Sequence, residues 1–235
     1  MAGLEIRLVF WHRCSIFPLM KSALARLYES LICNDAPSPA DLIFVMAGRM
    51  ERKIYGLELY RAGISPKLVL SIGRFEVSKM RSLNVEGWDE LRLLHQRTPP
   101  NERHFFLKLD ASGFQAAKAM LPQWNTYGEV LAFRDLIQKE KPRRVMVVST
   151  DVHLRRVALT MGRVCRGMPI ELFYCPVPPR LTPFSKDDWW FRPFARQFVL
   201  NEMIKLAGYR IILSLPAPIA RRCMQLKDDS KKQTW

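Results

Sequence analysis

The sequence predicts an α/β protein built on a mostly parallel β-sheet with helices on both faces. In the central part of the chain, short apolar runs rich in β-branched residues alternate with longer stretches of helical period, the pattern of such sheets. Of the 235 residues, 49% are hydrophobic and 25% are charged, which is typical of a globular protein rather than a disordered one. A chain of this length can bury a sizeable core.

Two strands and the helix between them are predicted first. The run DLIFVMAG at 41–48 predicts the first strand, because a polar, proline-containing loop precedes it. The stretch 50–63 predicts a helix that ends at Gly63, since glycine favours the left-handed conformation found at helix C-termini. Pro66 then leads into the second predicted strand, KLVLSIG at 67–73.

The clearest strand pattern is RRVMVVST at 143–150. The run HFFLKLD at 104–110 predicts another strand, and IELFYCPV at 170–177 predicts a further one. Helical period predicts helices over 126–141 and 151–167.

The remaining segments flank or interrupt the sheet. We expect a helical lead-in over residues 1–40, an α/β domain over 41–210 and a basic C-terminal tail over 211–235. Residues 74–103 are polar and contain RTPPNER, which indicates an excursion from the sheet. After DDWWF, the stretch VLNEMIKLAGY predicts a closing helix.

The chain has a net charge of +15, with +3 over residues 1–28 and +4 over 210–235. A spread basic excess favours acidic partners, such as phosphorylated small molecules, anionic lipid surfaces or nucleic acid. Nucleic acid is the least expected of these, since the basic residues lack the aromatic-studded strand of an RNA-binding sheet.

Cysteine and histidine usage predicts no metal site. The five cysteines are widely spaced and form no CxxC pair, and the four histidines show no metal-ligand spacing. Neither LVFW near the N-terminus nor IILSLPAPIA at 211–220 is long enough to cross a bilayer, and LVFW is not followed by a signal-peptide cleavage site. These features favour a cytoplasmic location and leave peripheral contact with an anionic inner membrane open.

Ligands of an open parallel sheet bind at the carboxyl ends of its strands, where each strand passes into a helix. In this sequence such positions are occupied by AGRMER, SIGRF, DASGF, QWNTYGE and STDVHLRR. Gly48 and Gly73 directly follow the first two strands, and a residue without Cβ allows a ligand or backbone to approach closely. Neither turn is a dinucleotide fingerprint or a P-loop.

The stretch STDVHLRR combines a helix start with two arginines. Asp151 is predicted to cap the helix, while Ser149 and Thr150 can satisfy backbone groups at the strand end. Cations are unfavourable in the first turns of a helix unless an anion binds nearby, so Arg155 and Arg156 favour an anion site. Adjacent helical positions point about 100° apart, so we expect one arginine at the strand ends and the other at the surface.

The stretch QWNTYGE also predicts a helix start. Asn125 or Thr126 can cap the helix, and Glu129 follows Thr126 at the spacing of a capping box, which capping alone would explain. Glu129, Asp151 and His153 would nevertheless all lie at helix starts on one edge of the sheet. We therefore also predict a cluster able to transfer a proton, with His153 and Glu129 as the acid–base candidates.

Taken in order, these motifs resemble the YdcF/SanA/ElyC-like family of bacterial proteins, a domain of unknown function. The similar stretches lie within about residues 36–180 and include ADLIFVMAG, YGLELYRAGISPKLVLSIG, NTYGE and VVSTDVHLRR, the last similar to the family's VTS-x-x-H-x-x-R signature. The resemblance implies a three-layer, Rossmann-like sheet with a pocket at its carboxyl edge. The site residues that it implies are Gly48, Arg52, Gly73, Asn125, Thr126, Glu129, Ser149, Thr150, His153 and Arg156.

The residues and the resemblance together predict binding of an anionic, phosphate- or nucleotide-type small molecule, with Arg52 and Arg156 as anion clamps. The resemblance also implies a link to bacterial envelope or peptidoglycan-precursor metabolism, and one branch of the family suggests S-adenosylmethionine as a cofactor. Whether the chain is an enzyme stays open. The alternative is a non-catalytic adaptor held at the cytoplasmic membrane surface by its basic, apolar ends.

Overall fold

The computed structural model describes residues 13–83, 85, 87–123, 125–183 and 185–232. Six strands form one sheet in the order β4-β3-β2-β1-β5-β6. The strands are β1 Leu42–Val45, β2 Leu68–Gly73, β3 His104–Asp110, β4 Gly113–Lys118, β5 Arg144–Ser149 and β6 Glu171–Pro176. The helices are α1 Arg13–Glu29, α2 Met50–Arg61, α3 Val77–Met80, α4 Trp88–Arg97, α5 Thr126–Glu140, α6 Asp151–Val164, α7 Pro193–Ser214 and α8 Ala217–Lys232.

The sheet is mixed, so the prediction of a mostly parallel sheet is wrong. Strands β2, β1, β5 and β6 are adjacent in this order and run parallel to one another. Strand β3 is antiparallel to β2, and β4 is antiparallel to β3. His104 at the start of β3 pairs with Gly73 at the end of β2. Because the chain re-enters the sheet at the edge where β2 leaves it, β3 must run in the opposite direction.

The stretch DASGF does not lie with the other strand-end motifs. It forms the turn between β3 and β4, where Asp110 pairs with Gly113 and the Asp110 side chain accepts a hydrogen bond of 2.9 Å from the Ser112 N–H. Gly113 has a φ of 100°, a left-handed conformation that favours glycine. This turn lies at the edge of the sheet opposite to the carboxyl ends of β1, β2 and β5.

Helices flank the sheet, and both of its faces are buried. Along β1, Ile43 and Val45 pack in one apolar cluster with Leu57 of α2, while Leu42 and Phe44 belong to a second cluster. The second cluster contains side chains of α5 and α6. The period-two alternation of a strand directs its apolar residues to both layers, which explains the continuous apolar runs.

Helix α2 lies very close to the sheet at Gly56. A Cβ at this position would lie 2.3 Å from Cγ2 of Val45 in β1. The close approach fixes the start of α2 directly beyond the end of β1.

The Gly56 contact predicts a large effect of one methyl group. We expect Gly56→Ala to lower the free energy of unfolding by about 1–3 kcal/mol, because the added methyl overlaps a packed strand. The matched control is Gly162→Ala in α6, where a Cβ meets nothing within 4 Å, and where we expect no loss, or a gain of up to about 1 kcal/mol from helix propensity. Urea unfolding of both variants measures the difference, and equal stabilities would contradict the close packing of α2.

The C-terminal helices extend the domain. One apolar cluster contains Tyr28 of α1, Val152 of α6, Val199 of α7 and Trp189, which precedes α7. Helix α7 extends to Ser214, and α8 occupies most of the segment expected to be a basic tail. Within the described part of the chain, no helix combines the length and apolar character needed to span a membrane.

Candidate functional site

A cleft of about 780 Å³ opens at the carboxyl ends of β1, β2 and β5, where α2, α5 and α6 begin. Eight of the ten predicted site residues line it, namely Gly48, Arg52, Gly73, Asn125, Thr126, Glu129, His153 and Arg156. The other two, Ser149 and Thr150, are buried and bond to His153 and Arg52. The structure thus brings the residues of four separate stretches together.

His153 lies between two hydroxyl groups. Its Nδ1 is 2.8 Å from Oγ of Ser149, and its Nε2 is 3.4 Å from Oγ1 of Thr126. Burial, followed by the nearby charges of Arg156, Arg52 and Lys205, lowers the pKa of His153 well below its usual range. The imidazole is therefore neutral near pH 7, with one nitrogen as donor and the other as acceptor.

Of the two adjacent arginines, Arg156 lines the cleft at the strand ends and Arg155 is exposed, so the prediction that one faces the strand ends and the other is at the surface is confirmed. The Arg156 guanidinium donates from Nε and Nη2 to Oε2 of Glu202, at 3.1 and 2.8 Å, and from Nη1 to the Thr126 hydroxyl. Lys205 Nζ donates to the other Glu202 oxygen at 2.9 Å. Burial alone would raise the pKa of Glu202, but Arg156 and Lys205 outweigh it, and the pKa lies below its ordinary value.

Helix α5 begins with a cap at Asn125 rather than at Thr126. Asn125 Oδ1 accepts a hydrogen bond of 3.0 Å from the Gly128 N–H. Gly128 is needed there, because a Cβ would lie 2.0 Å from the Gln123 carbonyl oxygen. The side chain of Glu129 does not form a capping box and instead accepts a bond of 2.7 Å from the Ala47 N–H, after β1.

Asp151 is not the helix cap and does not line the cleft. The N-cap position of α6 is Thr150, and Asp151 is the first helical residue. One Asp151 oxygen accepts from the Val152 N–H at 2.8 Å, and the other accepts from the Tyr28 hydroxyl at 2.6 Å. Asp151 lies at a helix start, as predicted, but it attaches α1 to the start of α6 and does not join Glu129 and His153 in the cleft.

Arg52 is buried beneath the cleft, with only 5% of its surface exposed. It donates to the Ala47 carbonyl and, over 2.9 Å, to the Thr150 hydroxyl. Its Nε is buried and has no hydrogen-bond partner among the described residues. Burial lowers its pKa to about 10, so the guanidinium stays charged near pH 7.

Glu76 is one residue of this site that the sequence analysis did not indicate. Its Oε1 accepts hydrogen bonds from the backbone N–H groups of Gly48, at 2.6 Å, and of Gly73, at 3.0 Å. It also forms an ion pair with Lys53, which is fully buried in α2 and donates to the Met46 carbonyl at 3.1 Å. The two glycine turns therefore hold a carboxylate of the protein itself.

His104 is a further cleft residue that the sequence did not single out. Its Nε2 lies 2.8 Å from the Ser71 hydroxyl, and burial lowers its pKa to about 4. Among the described residues, no group of three or more His, Cys, Asp or Glu side chains is arranged to hold a metal ion.

The buried charges of the site balance in number. Three cations (Arg52, Lys53 and Arg156) face three carboxylates (Glu76, Glu129 and Glu202), and each of the six has at most 8% of its surface exposed. Burial without such partners would be costly for any of them.

Donors for a bound anion remain at the start of α2. The helix has no side-chain cap, and Met50 in its first turn lines the cleft. The Glu51 carboxylate of the same turn is bonded to its own N–H and accepts a bond of 2.6 Å from Nη2 of Arg49. Arg49 and Lys79 line the same part of the cleft, and Nε of Arg49 has no hydrogen-bond partner among the described residues. Contacts within the protein therefore balance only part of the positive charge in this part of the cleft.

No protein-family model matches the chain, and neither the curated proteins nor the solved structures contain a significant match. The resemblance to the YdcF/SanA/ElyC-like family therefore stays a prediction from the motifs.

Proposed function

We propose that this protein binds an anionic small molecule with a phosphate or similar oxyanion group in the cleft at the carboxyl edge of the sheet. The observation that carries the proposal is the uncapped start of α2, beside Arg49, Lys79 and the buried Arg52 with its unpaired Nε. The first N–H groups of a helix and its dipole favour a bound anion.

The proposed oxyanion position differs from a glycine-loop cradle. The N–H groups of Ala47, Gly48 and Gly73 already donate to Glu129 and Glu76. An oxyanion placed at the glycine turns would meet these carboxylates and be repelled. We therefore assign the oxyanion to the first turn of α2, where the Glu51 carboxylate is already ion-paired with Arg49. Arg52 strengthens the field from below because charge acts more strongly at a buried site.

Should the ligand react, Glu129 and His153 are the acid–base candidates. Glu129 accepts from the Ala47 N–H through one oxygen and lines the cleft. His153 is neutral, so it can accept or donate one proton through the Thr126 hydroxyl at 3.4 Å. The family resemblance adds nucleotides and S-adenosylmethionine to the ligands to be tested, and with them a role in envelope metabolism.

Thermal-shift and calorimetric titrations with inorganic phosphate, pyrophosphate, nucleotides and S-adenosylmethionine test the proposal. We expect at least one oxyanion to raise the Tm of the wild-type protein by several degrees at saturation. Lys79→Ala removes an exposed cation of the cleft and should weaken binding about three- to tenfold. Arg52→Gln should weaken it further, because its charge is desolvated.

The matched control is Lys139→Ala. Lys139 is also exposed, but it lies near the other end of α5, about 20 Å along the helix from Thr126. The proposal fails if none of these ligands stabilises the wild type, or if Lys79→Ala and Arg52→Gln bind as tightly as Lys139→Ala.

A further inference from the structure

Helix α7 is apolar on two opposite faces. One face is buried against the domain and carries Val199, Leu206 and Leu213. The other carries Leu200, Ile204 and Ile211, whose exposed fractions are 42%, 72% and 67%. A helix that is apolar all round is normally covered on all sides, so the exposed face is the unusual one.

The three exposed side chains form one row. They follow one another at spacings of four and seven residues, which places them within about 40° of one another around the helix axis at 100° per residue. Ile219, 50% exposed, extends the apolar character into the first turn of α8.

The polar residues around this row are basic. Exposed arginines lie near it in α7 and at the start of α8, namely Arg196, Arg210, Arg221 and Arg222. The only acidic residue between 191 and 225 is Glu202, which is buried and ion-paired with Arg156. We call the exposed apolar row, Ile219 and these arginines the basic apolar surface.

We propose that the basic apolar surface docks onto an anionic lipid membrane. Exposed apolar side chains next to arginines suit the boundary between acyl chains and negatively charged headgroups. A second copy of this chain is disfavoured as the occupant, because the same arginines would face each other and each chain has a net charge of +15.

The surface is separate from the cleft side of α7. Phe198 and Glu202 of the same helix line the cleft, whereas Leu200 and Ile204 point away from it. Membrane docking therefore needs neither the oxyanion site nor a bound ligand.

Vesicle co-sedimentation of the full chain tests this inference. Phosphatidylcholine vesicles with phosphatidylglycerol should pellet the wild type, and vesicles of phosphatidylcholine alone should bind it much more weakly. The double variant Ile204→Glu/Ile211→Glu should bind the anionic vesicles about tenfold more weakly or worse, because it removes two apolar anchors and adds two negative charges. Added salt should weaken wild-type binding, since headgroup attraction is screened.

The matched control is Leu93→Glu/Met120→Glu, which adds the same two charges at exposed apolar positions outside α7 and α8. It should bind like the wild type, and all three proteins should keep similar Tm values because the substituted side chains are exposed. The inference is overturned if the wild type ignores anionic vesicles, or if both double variants bind equally. It is also overturned if sedimentation velocity shows a wild-type dimer that Ile204→Glu/Ile211→Glu dissociates while vesicle binding is absent.

Discussion

Replacing Glu202 by alanine is expected to lower the free energy of unfolding by about 3–5 kcal/mol. The substitution leaves the Arg156 guanidinium, 6% exposed, without the carboxylate that accepts two of its hydrogen bonds. A buried charge that loses its partner keeps its full desolvation cost. Urea unfolding near pH 7 measures the loss.

The neighbouring arginine supplies the control. Arg155→Ala removes an exposed cation one residue from Arg156 and should change stability by less than about 0.5 kcal/mol. The double variant Arg156→Leu/Glu202→Leu should recover much of the loss, since neither charge is left buried alone. If Glu202→Ala unfolds at the wild-type urea concentration, the ion pair does not hold α7 to α6.

The same ion pair predicts a pH dependence. The pKa of Glu202 is lower in the folded protein than its ordinary value, so its carboxylate contributes stability at pH values above the ordinary pKa. This contribution is lost as the pH falls through the lowered pKa. The stability difference between the wild type and Arg156→Leu/Glu202→Leu should therefore shift in favour of the double variant in acid.

Glu76→Ala is expected to destabilise the protein by a similar amount, about 3–5 kcal/mol. Lys53 is fully buried and would lose its counterion, and the N–H groups of Gly48 and Gly73 would lose their acceptor. The double variant Lys53→Met/Glu76→Gln should restore most of the stability, because the amide oxygen still accepts from both glycines and no unpaired charge remains.

Glu90→Ala is the matched control, since Glu90 is an exposed carboxylate of α4 in the same connecting segment. In Glu76→Ala the vacated position between the glycine turns should bind formate or acetate, which would raise the Tm of this variant more than that of the wild type. Equal stability of Glu76→Ala and Glu90→Ala would show that Glu76 does not occupy the glycine turns.

Strong local patterns predicted most of the elements. The expected helix at 126–141 is Thr126–Glu140, and the expected strands at 104–110 and 143–150 are His104–Asp110 and Arg144–Ser149. Strand β4 was missed because it lies at the sheet edge and is mostly exposed, so it lacks an apolar run. Because neither β4 nor the turn before it was predicted, the sequence pattern did not indicate that β3 runs antiparallel to β2.

The predicted site residues came together because helix starts and strand ends can be recognised locally. Glu76 and Lys53 were missed because their partners are distant in sequence, and in isolation they resemble ordinary solvated charges. Glu202 had a usable signal. It lies between Val199 and Leu206 at the three- and four-residue spacing of the buried face of α7, so it occupies a core position. A buried carboxylate needs a buried cation as its partner.

The most direct test of the oxyanion site is a crystal of the wild-type protein soaked with tungstate, a heavy-atom oxyanion. The proposed function predicts an anomalous peak in the cleft at the first turn of α2, within hydrogen-bond distance of the Met50 N–H group and beside Arg49 and Lys79. A cleft without such a peak, or a peak between Gly48 and Gly73 in place of the Glu76 carboxylate, would contradict it.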